Sequence, residues 1–138
     1  MRRSPNRMLA VIIGAAFVLI GILGSVATSN AGVGLVATEG GLILGIFEVN
    51  VAHNLVHLLL GLVLLAAGIA GRRAAKTLNA IVGTGCLVLG IAGLFLITNS
   101  DLNVLAINAP DNVLHFASAV ALLAVGLGAE REVRSPVS

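Results

Sequence analysis

Tryptophan and tyrosine are absent from this chain, and phenylalanine occurs only four times. Membrane proteins ordinarily carry Trp and Tyr at both interfaces, so an aromatic belt is excluded here. Cysteine occurs once, at Cys86. That excludes an intramolecular disulfide and any cysteine-rich metal site, and in mid-span Cys86 reads as a small packed residue. Charge is scarce: 10% of the 138 residues are charged, against roughly 25% in a soluble domain. A chain so poor in charge cannot clothe a water-soluble globule. Serine-hydrolase patterns, phosphate loops and nucleic-acid modules are also missing. The net charge of +2 is no nucleic-acid footprint, because its distribution matters more than its sum.

What is present is apolar. Hydrophobic residues make up 58% of the chain and the mean hydropathy is +1.08. Four long stretches, about 8–26, 51–70, 78–97 and 110–128, contain no Lys or Arg. At about 1.5 Å per residue each is long enough for a hydrocarbon core of roughly 30 Å. The expected class is an all-α, polytopic membrane protein with a four-transmembrane-helix bundle.

The basic residues form three groups: Arg2, Arg3 and Arg7; Arg72, Arg73 and Lys76; Arg131 and Arg134. The acids Glu39, Glu48, Asp101 and Asp111 lie in the alternate connections. The positive-inside rule then puts both termini in the cytoplasm of a plasma-membrane protein. The expected organisation is a basic tail over 1–7, one transmembrane domain over 8–128 and a cytoplasmic tail over 129–138. Residues 27–46 begin small and polar and end in an apolar piece too short to span, expected to be re-entrant or interfacial. Arg2-Arg3, an apolar run and small residues at 27–31 outline a signal peptide, but an internal repeat argues that this segment is retained.

Gly14, Gly21 and Gly24 recur as Gly83, Gly90 and Gly93 at an offset of 69, and Asn50, Asn54, His57 and Gly68 recur as Asn108, Asn112, His115 and Gly126 at an offset of 58. The chain therefore reads as two parallel two-helix repeats, about 8–71 and 77–128, related by an axis along the membrane normal. The paired glycines lie on one side of each helix, where small residues allow tight crossings.

Every histidine falls in two corresponding segments, 47–57 and 105–115. Asn50 and Asn108 immediately precede their helices and read as N-caps. His53 and His57 share a helix face, as do Asp111 and His115. His57 is expected about 9 Å below the outer interface. His53, Asn54, His57, Asp111, Asn112 and His115 thus form a candidate polar cluster in the outer leaflet. The plain structural reading is interhelical hydrogen bonding, Asn54 to His115 and Asn112 to His57. The sharper one is a divalent metal site of His53, His57, Asp111 and His115, with the two amides as orienting partners. A b-type haem on His57 and His115, or a quinone, small-molecule or proton site, are the other readings.

Asn-x-x-His-Asn-Leu-Val-His-Leu-Leu-Leu-Gly at 50–61, with Asn-x-x-Asp-Asn-x-Leu-His at 108–115, resembles the small four-span membrane proteins of actinobacteria grouped as a domain of unknown function. The resemblance covers about residues 8–128 and implies a four-helix bundle in the plasma membrane. It implies no activity. Functionally, small size and short soluble parts point first to a structural or accessory subunit of a membrane assembly, as a homo-oligomer or with a protein partner. A metal- or haem-binding membrane protein is the alternative, and transport the third.

Overall fold

The computed structural model describes residues 4–129; Arg2, Arg3, Arg131, Arg134 and the expected tail beyond 129 lie outside the described residues. Four helices dominate: α1 (Pro5–Ala31), α2 (Val51–Ala70), α3 (Arg72–Leu96) and α4 (Ala109–Gly128). Each is long and apolar enough to cross a membrane, and the chain is a multi-pass bundle of all-α class. The only strands among the described residues are β1 (Gly41–Ile43) and β2 (Phe47–Val49).

The ends of the helices follow from local chemistry. α1 starts within the stretch expected to be a tail, because Ser4 Oγ accepts from Arg7 N and Pro5 occupies the first turn, where no backbone donor is needed. It stops at Gly32, whose φ of 66° suits glycine and lets its N–H reach Ser29 O. Gly71 alone joins α2 to α3, with φ 143°. The basic cluster at 72–76, between the expected stretches 51–70 and 78–97, opens α3. One residue in a conformation open to glycine suffices to reverse the chain. Arg7, in turn, donates from Nε to Gly68 O at 2.8 Å and closes the carbonyl end of α2.

α1 packs chiefly on α2, and α3 on α4. The core is thin: Phe17, Leu64, Val82, Cys86 and Leu122, with Ala10, Ala75 and Ala119. Large apolar side chains such as Ile12, Leu59, Ile69, Val88 and Val113 point outward, as lipid contact requires. Backbone proximity holds the pairs together. A Cβ on Gly14 would lie 2.9 Å from Gly61 O and Leu65 N, and one on Gly83 2.9 Å from Leu122 Cβ. Such crossings need small residues. At the end of the bundle holding the N-terminus of α3, Asn79 Nδ2 donates to Asn6 O at 3.0 Å, and both side chains are fully buried.

The segment 27–46, expected to be re-entrant or interfacial, is the end of α1 followed by a strand that packs on α1. α1 continues to Ala31, and residues 41–49 form an antiparallel hairpin pairing Gly41 with Val49, Leu42 with Glu48 and Ile43 with Phe47. Leu44 (φ 52°) and Gly45 (φ 70°) make its turn, with Ile46 N donating to Ile43 O. The Glu48 carboxylate accepts from Gly40 N at 2.8 Å.

The connections cross-brace the bundle. Asn50 Nδ2 donates to Val104 O at 2.7 Å, in the α3–α4 connection. Asn108 Nδ2 donates to Ile46 O at 2.7 Å, in the α1–α2 connection. Both connections therefore lie over the same end of the bundle, above the N-termini of α2 and α4.

Candidate metal centre

Each half delivers its polar residues through a capped helix start. Asn50 Oδ1 accepts from His53 N at 3.0 Å, and Asn108 Oδ1 from Asp111 N at 3.1 Å. His53 and Asp111 are each the third residue of their helix. One turn further on, the same faces carry His57 and His115. These faces meet inside the bundle. His53 Nε2 lies 3.6 Å from Asp111 Oδ2, and His115 Nε2 lies 3.8 Å from the same oxygen. The His53 and His57 rings stack at 4.6 Å, and the His57 and His115 centroids are 6.2 Å apart. One ligand atom from each of His53, His57, Asp111 and His115 lies within 4.8 Å of the others. All four side chains are at least 97% buried.

The polar atoms of this group are largely unpaired within the chain. The contacts to Asp111 exceed hydrogen-bond length. Both Asp111 oxygens, His53 Nε2, both His57 nitrogens and His115 Nδ1 are buried with no hydrogen-bond partner. Orphaned buried polar atoms each cost about 1–3 kcal/mol, and a buried carboxylate more. Several such atoms lie together here. His53 Nδ1 lies 3.1 Å from Leu105 O. A carbonyl can only accept, so Nδ1 carries the proton and the Nε2 lone pair points to the centre, as in a histidine ligand held by its outer hydrogen bond.

Three imidazole nitrogens and one carboxylate oxygen suit Zn²⁺, Fe²⁺ or Mn²⁺. Metal bonds of about 2.1 Å would set ligand atoms roughly 3.4 Å apart in a tetrahedral site. The observed set, within 4.8 Å, is more open than that. A b-type haem does not fit. It needs an open plane between His57 and His115, whereas His53 stacks on His57 at 4.6 Å and Asp111 reaches within 3.8 Å of His115.

The structure does not bring Asn54 and Asn112 into the group, and this corrects the expected bonds from Asn54 to His115 and from Asn112 to His57. Asn54 Nδ2 donates to Thr28 Oγ1 at 3.4 Å, and Asn112 Nδ2 to Gly90 O at 3.0 Å. One residue is about 100° around a helix, so an amide next to His53 or Asp111 turns toward the neighbouring helix of its own pair. There Gly24 and Gly93 make room: a Cβ on either would overlap the Asn54 or Asn112 amide. These glycines seat amides as well as allowing helix crossing.

Three participants have no signal of their own in the sequence. The Leu105 carbonyl orients His53, Thr28 holds Asn54, and the Phe17 ring lies 5.5 Å from that of His57. Repeat pairing could have drawn attention to Phe17, because its counterpart is Cys86, an unequal pair beside His57 and His115. Ala106 and Ile107, next to Leu105 in the α3–α4 connection, are buried. The centre is reached from the side by a groove of about 500 Å³ whose lining includes His53, His57 and His115.

Residues 7–128 match the family described as a domain of unknown function, DUF4383, and the chain belongs to that family. No curated protein and no solved structure matches it.

Proposed function

We propose that this family member is a metal-binding protein of the cell membrane, holding one divalent transition-metal ion through His53, His57, Asp111 and His115. The observation that carries this reading is the meeting of four buried ligand side chains from two helices within 4.8 Å, with most of their polar atoms unpartnered. Structural ion pairs normally satisfy their members, and intramembrane ionisable groups mark function by default.

The proposal includes a bundle of two parallel repeats. Its support is reciprocity: Asn50 bonds Val104, and Asn108 bonds Ile46, so residues 58 apart exchange equivalent contacts. That is the signature of a two-fold relation. Gly24 with Asn54, and Gly93 with Asn112, repeat a second contact. His53 and Asp111 are then counterparts, as are His57 and His115, and the ion lies on the pseudo-two-fold axis. Orientation rests on charge. Arg7, Arg72, Arg73 and Lys76 gather at one end, while Glu39, Glu48 and Asp101 lie in the connections at the other. The basic end is assigned to the cytoplasm and the metal centre to the outer leaflet.

A transport role finds less support, since Phe17, Leu64, Leu122 and the buried Asn6–Asn79 pair fill the bundle between the centre and the basic end. An accessory role in an assembly rests on small size and short soluble parts. The test is elemental analysis of protein purified from its native membrane without chelators. About one divalent ion per chain is expected, lost in the His57→Ala/His115→Ala variant while the variant still unfolds cooperatively. Wild-type protein carrying no stoichiometric metal overturns the proposal.

A further inference from the structure

The groove beside the centre is unequal across the two halves. It opens between α2 and α3, where exposed Thr84, Gly85, Val88 and Ala92 form its lip. On α1, the positions 69 residues earlier hold Ala15, Ala16, Leu19 and Leu23. Cys86 likewise stands where α1 has Phe17. The α3 wall is therefore built from smaller side chains at Gly85, Cys86 and Ala92, and a space opens on one side of the bundle only. Its mouth is on the flank of the helices, among apolar side chains. At the end of the bundle Ala106 and Ile107, in the connection above α4, are buried. Its walls are apolar, with Phe17, Val56, Leu60 and Leu89, and its floor is imidazole. His57 there is 98% buried, with neither ring nitrogen hydrogen-bonded.

A ligand for this space must arrive through the bilayer, be mostly apolar, and carry an oxygen able to meet a metal ion or an imidazole. We infer that the groove between α2 and α3 binds a quinone-class molecule, its ring oxygen directed at the ion held by His53, His57, Asp111 and His115. The flat ring lies between Phe17 and the α3 wall, and the isoprenoid tail leaves past Val88 into lipid. This rests on the metal reading: four protein ligands leave a position that zinc-like ions can open to a fifth donor. Gly85 supplies a clean control, because a Cβ there meets nothing within 4 Å. A larger side chain at that position fills the groove without touching the ligand set.

The experiment uses the full chain in lipid nanodiscs, loaded with Co²⁺ and titrated with 2-methyl-3-decyl-1,4-naphthoquinone while the visible cobalt bands are recorded. The expected result is a saturable shift of those bands at one quinone per chain. Gly85→Leu is expected to keep the bands and weaken quinone binding by about tenfold or more. Normal cobalt bands with no quinone-induced shift, or a shift of equal affinity in Gly85→Leu, overturn the inference and leave the metal centre standing. Absence of cobalt bands in wild-type protein removes both.

Discussion

His53 and Asp111, the third residues of α2 and α4, face each other inside the bundle with Nε2 and Oδ2 3.6 Å apart, neither hydrogen-bonded through those atoms. A gap of that length is too long for a hydrogen bond and too short for an intervening water. Left ionised, that buried carboxylate would need a cation to offset its desolvation.

The first prediction concerns that carboxylate. Asp111→Asn keeps the shape and removes the charge. Without metal, the variant is expected to unfold at a higher temperature than wild type, because a buried uncompensated carboxylate is destabilising. With Zn²⁺ present the order is expected to reverse, and metal affinity to fall by about 10- to 100-fold or more. Paired thermal melts with and without Zn²⁺ check both signs. A variant less stable than wild type in both conditions counts against the account.

The second concerns the amide seats. Gly24→Ala and Gly93→Ala each place a methyl into the Asn54 or Asn112 amide, and overpacking of this kind costs about 1–3 kcal/mol. Gly85→Ala, with open space around the new atom, should cost far less. Denaturation of the three variants in one detergent measures the contrast. Comparable losses at 24 and 93 support the repeat, and a loss at only one of them argues against it.

Asn50 and Asn108 provide the third. Asn50 caps α2, donates to Ala37 O and Val104 O, and is fully buried. Asn108 caps α4 and donates to Ile46 O at an exposed site. Loss of a cap costs about 0.5–2 kcal/mol, and buried carbonyls left without donors add to it. Asn50→Ala is therefore expected to be the more destabilising, by about 1 kcal/mol or more. Equal melting temperatures for the two variants would contradict this ranking.

Orientation is the fourth. In a Cys86→Ser background, Leu44→Cys at the hairpin turn is expected to react with a membrane-impermeant maleimide on intact cells. Lys76→Cys is expected to react only after permeabilisation. In the wild-type chain the buried Cys86 should stay unlabelled before and after permeabilisation. The opposite labelling pattern inverts the assigned topology and moves the metal centre to the inner leaflet.

The spans were legible because hydropathy dictates them: the expected 51–70 stretch coincides with α2. What was not legible depended on single residues acting at a distance. Ser4 and Pro5 start α1 inside a basic tail, and Gly71 reverses the chain so tightly that Arg72 and Arg73 become helical. The hairpin at 41–49 hides in an apolar run that carries no alternation of polar residues. At the site, spacing alone put His53 with His57 and Asp111 with His115 on shared faces. The expected cluster joined the two faces through the repeat, but nothing in the sequence told that Asn54 and Asn112 turn away into spaces left by Gly24 and Gly93. That outcome depends on helix rotation, which is set by glycine contacts on the other side of each helix.

The most direct test is the coordination shell itself, read by X-ray absorption at the zinc edge of the loaded protein. The account predicts a first shell of nitrogen and oxygen at about 2.0–2.2 Å, with outer-shell scattering from three imidazoles that falls to two in His115→Ala. A shell dominated by sulfur at about 2.3 Å, or a water-like oxygen shell without imidazole scattering, would contradict it.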